Sequence, residues 1–332
     1  MNVEAARLLA KGDVAEFNRR FGNVTVDLAG ADLHGADLGG ARLVDAILDG
    51  ADLRGAKLGR TDLRRASLAR VQLSGAVLLR TNLAKARVEG VAADDVTLNL
   101  CHLAAAELTS IAGRLWKITE CTFRGARLAG VELTDCELAA VSFDSAAIDR
   151  VAFSGKNAKQ VDFSRASGGE LAWNMLVTDG LDFTEAKLQR VAMGQLIASG
   201  VILDGAQLGR VEGAKTMWMA SRVAGARIER FAFVDSAINE TIFRGSALGT
   251  VELTGSELLK VVFENCSLAR LELERARLLN FRASNNRAQL GATGSLILGG
   301  LVMIDATPAL AGVHRGAQRG PGATILIDGA KV

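Results

Sequence analysis

The stretch "DLAGADLHGADLGGARL", residues 27–43, places leucine at 28, 33, 38 and 43, five residues apart. A helix sets its apolar residues three and four apart, and a plain strand sets them two apart. Neither period is five. Taking each leucine-like position as a centre i, steps of five from Leu28 to Ala283 visit 52 centres, and 44 of these are Leu, Ile, Val, Phe, Met or Trp. The others are Ala93, Gly113, Ala158, Gly168, Thr178, Ala198, Gly213 and Ala283, and no insertion breaks the phase. The residue at i−2 is mostly small, as in Ala31, Ala36, Val131 and Cys136, while i−1, i+1 and i+2 are largely polar or glycine.

Alternation along an extended backbone turns i−2 and i to the same side. The rest of each five must redirect the chain, and glycine at i+2 (Gly30, Gly35, Gly50, Gly55) suits a turn. Each pentapeptide is then one short wall of a coil whose interior holds one small and one large residue. No single pentapeptide can bury its apolar pair, so coils must stack. Phe123, Phe143, Phe163, Phe183, Phe243 and Phe263 share one phase of twenty. Four walls per coil put them in one column, whereas three would scatter them.

The units "ADLHG", "ADLGG", "ADLRG", "TDLRR" and "TNLAK" resemble the pentapeptide-repeat family, and the resemblance runs from residue 26 to about 283. It implies an all-β solenoid, a right-handed quadrilateral parallel β-helix of about 13 coils, each rising ~4.8 Å, or roughly 60 Å in all. The expected organisation is an N-terminal α-helical cap over 1–24, the repeat β-helix over 25–283, and a C-terminal cap or extension over 284–332. Asp13 with Glu16 forms a capping box, and Val14, Phe17 and Phe21 share a helical face, so two short helices are expected to cover the first coil. Past Ala283 the period stops. "SLILGGLVMID" reads as one or two strands, "GVHRGAQRGPGA" as a loop and "TILID" as a last strand, together an end cap or an oligomerisation segment.

Composition excludes more than it assigns. With 39 basic and 37 acidic residues the net charge is +2, too balanced to call for a nucleic-acid partner. No run of 18 apolar residues and no charged-then-apolar leader is present, so neither a membrane span nor a signal is expected, and four cysteines in 332 residues point to a reducing cytoplasm. Cys101, Cys121, Cys136 and Cys266 all occupy the inward i−2 slot, which wants a small apolar residue. Cys101 and Cys121, twenty apart, fall on adjacent coils at a spacing that permits a disulfide, but reduced core thiols are the preferred reading. His34, His102 and His314 are far apart, and the recurring aspartates at i−1 (Asp27, Asp32, Asp37, Asp52, Asp62) are spread around four walls as a solvated face. No catalytic residue, metal ligand or cofactor is expected.

Two surface features stand out. Arg150, Arg190, Arg210, Arg230 and Arg270 share one edge, where neighbours about 5 Å apart repel by roughly 0.8 kcal/mol even in water. Glu229, splayed side chains or a bound polyanion must offset that. On another wall Val177, Ile197 and Met217 point outward with Met219 beside them, over units whose inner sizes are reversed (Leu176 with Thr178, Leu196 with Ala198). Such patches mark protein contacts. Upstream, Lys156 falls in an inward slot, which predicts a local distortion at "GKNAKQ".

The expected function is a non-enzymatic binding scaffold that presents rigid faces to a protein partner or a second copy. The family resemblance adds an alternative, a DNA mimic engaging DNA gyrase as quinolone-resistance members do. A mimic needs one charge per ~1.7 Å, about 35 uncompensated negatives, which this neutral chain lacks. A third reading is an effector or accessory protein with the rod as its docking module.

Overall fold

The structure is a computed structural model that describes residues 1–174 and 177–284. Beyond these it describes only the backbone of strands at 287–291, 296–299, 301–304, 317–319, 324–327 and 330–331. The chain divides into two compact units, Met1–Ser167 and Gly168–Val332, the division falling beside one of the small centres, Gly168.

Each unit is a parallel β-solenoid with twenty residues per turn, that is, four pentapeptides. In the first unit the pairs run Asp27↔Ile47, Ile47↔Ser67, Ser67↔Arg87, Arg87↔Glu107, Glu107↔Arg127 and Arg127↔Ala147. In the second the same step links Lys187↔Gln207, Gln207↔Arg227, Arg227↔Ala247 and Ala247↔Ser267. The centres and the i−2 residues are buried from Val26 and Leu28 to Phe281, except, among the described residues, the centres Gly113, Gly168 and Gly213 and the i−2 residue Lys156. The phenylalanine column is real: Phe143 stacks at 4.8 Å on both Phe123 and Phe163, and Phe243 stacks at 4.4 Å on Phe263. Flat stacking of identical rings in register is what a twenty-residue turn gives for nothing more than repetition of the residue type.

A second device ties successive turns together. Polar side chains in the small inward slot donate to the carbonyl 23 residues earlier: Thr61 Oγ1 to Leu38 O at 2.9 Å, Thr216 Oγ1 to Met193 O at 3.1 Å, Ser256 Oγ to Phe233 O at 3.1 Å, and Trp116 Nε1 to Ala93 O at 2.6 Å. Cys101 Sγ uses Leu78 O in the same way at 3.2 Å. The hydroxyls of Thr61, Thr216 and Ser256 are therefore partners of carbonyls rather than defects in the apolar lining.

Most corners use the left-handed backbone, but not through glycine alone. Non-glycine residues at i+2, from Asp45 to Asn280, hold φ between 47° and 60°. Each such corner carries a local cost that the parallel ladder on either side sustains. The recurring aspartates help here: Asp27, Asp32, Asp37, Asp52 and Asp62 each accept, through Oδ1, the backbone N–H two residues on, at 2.8–3.2 Å where Asp162 and Asp182 later repeat the motif. These carboxylates are Asx turns that shape the corner as well as a solvated face. The Arg54 guanidinium holds Asp52 at about 2, below its ordinary 3.8.

The N-terminal segment forms α1 (Val3–Ala10) and α2 (Val14–Phe21), the second capped by Asp13, whose Oδ1 accepts from Glu16 N at 3.3 Å. Asn2 N donates to Asp27 O, and the Asn18 side chain donates to Gly40 O and accepts from Arg42 N at 2.7 Å. One amide side chain thus satisfies backbone groups of the first turn that have no preceding turn to pair with. Among the described residues no helix is long and apolar enough to cross a membrane.

At Lys156 the ladder breaks as the sequence predicts. Cys136 pairs with Gly155 and Glu137 with Asn157, so Lys156 is left without a rung in a β-bulge. Its ammonium reaches outward to Glu137 at 3.5 Å instead of entering the core, and Gly155 takes φ +123° to allow it.

Past Ala283, where the period stops, strands fall in the stretches read as strands, at Leu296–Gly299, Leu301–Ile304 and Thr324–Ile327. Arg277 pairs with Ile297, then Leu296 with Ala317 and Leu301 with Thr324, all parallel, so the ladder continues with steps of 20, 21 and 23. Unequal steps hide the period from the sequence while backbone pairing survives. The stretch read as loop contains the strand Ala317–Arg319, and Thr324–Ile327 turns back antiparallel onto Ala330–Lys331. His314, Pro308 and Pro321 lie outside the described residues.

Candidate functional site

The outward stripe in the second unit is a ladder. Val177 pairs with Ile197 and Ile197 with Met217, and their exposures are 52%, 43% and 40%. Met219, half-buried, stands beside Met217 and pairs with Ser199. The neighbouring inward column is Thr178, Ala198 and Trp218, all buried, with Leu196 buried alongside; Leu176 lies outside the described residues. Trp218 packs at 5.9 Å on Phe231 and 5.3 Å on Phe233, and the Phe233 ring takes the space that Gly213 leaves, since a Cβ there would collide with it. With bulk indole inside, strand alternation sends Ile197 and Met217 to the outside. Elsewhere in this unit the exposed Val234 and Ile242 occur singly, which is ordinary for a protein surface.

The arginine edge is in register too: Arg190↔Arg210↔Arg230↔Thr250↔Arg270. None of these five has the left-handed backbone, and strands such as Lys187–Gly194 and Arg227–Val234 run straight through the edge. Arg150 differs, since it belongs to the first unit, sits at a left-handed corner (φ 53°) and faces Asp149 at 3.4 Å. The repulsion is offset by a glutamate column, not by Glu229. Glu212 lies 3.0 Å from Arg190 and 3.8 Å from Arg230, Glu252 lies 2.7 Å from Arg230, and Glu272 lies 2.5 Å from Arg270. Among the described residues Arg210 alone of these four arginines has no carboxylate in ion-pair range, the Glu212 two residues on being engaged by Arg190 and Arg230. The sequence showed the arginines twenty apart; the glutamates sit two residues beyond them, and that offset of 22 was the available signal.

The four cysteines are free and buried. Cys101 N donates to Cys121 Sγ at 3.4 Å, and the hydrogen bond with Cys101, together with burial, pushes the Cys121 thiol up. Burial pushes Cys136 up to about 11 and raises Cys266. The hydrogen bond with Cys121 lowers Cys101 instead, but all four thiols are buried, and an enclosed thiol is a poor target for an alkylating reagent. Folded protein at pH 8 should therefore leave all four unmodified by iodoacetamide over minutes, with all four reacting once the chain is denatured, as read by intact mass. Rapid alkylation of Cys101 or Cys121 in the folded chain would contradict their placement. Among the described residues no three His, Cys, Asp or Glu converge as a metal site.

A family model described as pentapeptide repeats matches residues 27–65 and 61–99, in 8 copies. Among solved structures, a trypsin-treated form of QnrB1, a plasmid-mediated fluoroquinolone resistance protein, is 15% identical, covers 59% of this chain and 93% of its own, and has a TM-score of 0.38. HetL, a pentapeptide repeat protein involved in heterocyst differentiation regulation from the cyanobacterium Nostoc sp. strain PCC 7120, is 18% identical over 83% of this chain and 96% of its own, with a TM-score of 0.23. A second trypsin-treated QnrB1 form is 13% identical over 58% and 91%, at 0.29. No curated protein matches the chain. The five-residue period and the twenty-residue ladder agree with the matched repeats, and it is residues 27–99 that match the pentapeptide-repeat family.

Proposed function

We propose that the chain is a non-enzymatic, cytoplasmic binding scaffold whose principal contact is the stripe Val177, Ile197, Met217 and Met219, presented to a protein partner or a second copy. The observation that carries this reading is the run of three exposed apolar rungs in register on one flat wall. Consecutive rungs about 4.8 Å apart make a contiguous apolar surface, which soluble proteins seldom leave uncovered without use. The free thiols support a reducing compartment. The arginine edge is the weaker candidate, because Glu212 and Glu252 already take the charges of Arg190 and Arg230. A gyrase-directed mimic is disfavoured by the net charge of +2.

Replacing Ile197 and Met217 together with Asp should abolish self-association or lower partner capture at least tenfold, since each charge would have to be buried in the contact. Light scattering after size exclusion, and affinity purification from the native cell, read the two cases. The same substitution at Val234 should change neither. An unchanged mass together with an unchanged set of captured proteins would remove the stripe from consideration.

A further inference from the structure

The first unit has an open trough of about 440 Å³ on the wall that carries the centres Ala93 and Gly113. Its floor is made of Ala92, Ala112 and Gly113, where other turns place larger residues, and Ala92, Ala112 and Glu132 follow one another on the ladder. The small centres are enforced from beneath. Trp116 sends its indole under this wall to bond Ala93 O, and a Cβ on Gly113 would collide with that carbonyl and with the indole nitrogen. The floor of the depression is therefore set from the core, while Asp94, Arg114 and Glu132 form part of its rim.

The rim is unequally satisfied. Arg114 turns away to Asp135, at 3.2 Å, while its backbone N–H donates to Asp94 Oδ1 at 2.9 Å. That leaves Asp94 and Glu132, both exposed, with no ion-pair partner among the described residues. A comparable depression below the N-terminal helices has both of its carboxylates already paired, Asp45 with Arg65 and Asp62 with Arg64.

We propose that this trough receives a lysine or arginine side chain from an extended segment of a protein partner. The methylene stem lies over the alanine and glycine floor and the cationic head meets Glu132 or Asp94. Long basic side chains bury their stems on apolar ground while the head stays at a wet, charged rim, which is the combination this wall offers. The site belongs to a different unit from the Val177–Met217 stripe and does not depend on it.

The test uses the full chain and the peptide acetyl-Ala-Lys-Ala-Lys-Ala-amide, following the Trp116 indole N–H resonance by NMR, assigned by its loss in Trp116→Phe. The lysine peptide should shift this resonance saturably, and its glutamine counterpart should not. Glu132→Gln with Asp94→Asn should weaken binding about tenfold, the scale of two partly exposed ion pairs. Asp32→Asn, on the same wall but outside the trough, should leave it unchanged. Because the Glu132 side chain has no partner to lose, Glu132→Gln alone keeps the fold intact and should still weaken binding measurably. No saturable shift, equal binding by the double variant, or preference for the corresponding glutamate peptide on Arg114 would each overturn the proposal.

Discussion

Replacing Phe143 with alanine should destabilise the first unit by about 3–5 kcal/mol, the usual cost of deleting a fully buried aromatic ring. Phe143 is 1% exposed and touches three other rings, stacking on Phe123 and Phe163 at 4.8 Å and tilting against Phe153 at 5.9 Å. The hole cannot be filled from the sides, because parallel rungs fix the spacing of the walls. Contacts in a solenoid run only to the neighbouring turns, so the damage should be local. Hydrogen exchange on the full chain should show lost protection in Arg127–Ser142 and Ala147–Asp162, with the rungs Asp27↔Ile47 and Asp32↔Asp52 little affected. Uniform loss of protection across the first unit, or none, would contradict a column of stacked rings as the local source of stability.

Gly155→Ala should cost about 3 kcal/mol, from two causes that add at one residue. The backbone there holds φ +123°, outside the region where side-chain-bearing residues settle. An added Cβ would also stand 2.6 Å from the Asp135 amide nitrogen and closer still to its Cα, a collision with backbone that no rotamer can relieve. Relief requires the bulge to move, and the bulge is what keeps Lys156 outside with Glu137. A lowered urea midpoint with an unchanged slope checks the expectation. By contrast, Gly125→Ala meets nothing within 4 Å and sits at φ 63°, where neighbouring corners already carry Arg, Lys and Asp, so its cost should be far smaller. Equal effects at 125 and 155 would show that the bulge is not specially constrained.

How much was legible differs between core and surface for a physical reason. The interior was readable because every fifth side chain meets the same walls, so one rule of size covers Leu28 and Phe263 alike. Even the bulge announced itself, since an ammonium at an inward slot is too costly to leave there. The glycine rule was only half right. Leu115 and Arg165 hold the left-handed corners as Gly30 does, because a ladder on both sides of the corner outweighs a local preference of the order of 1 kcal/mol. Beyond Ala283 the strands in "SLILGGLVMID" and "TILID" were legible but their stacking was not, since steps of 21 and 23 leave no fixed period to find.

Sequence by itself determined the twenty-residue turn, the inward pair of each pentapeptide, the phenylalanine column and the in-register outer stripes, because all of these depend only on spacing along the chain. Tertiary structure alone decided which charges meet. Glu212 reaches Arg190 in the turn before it and Arg230 in the turn after it, Arg114 chooses Asp135 over Asp94, and Trp116 undercuts the wall at Gly113. Those choices depend on side-chain reach between rungs, a distance set by stacking and not by the order of residues.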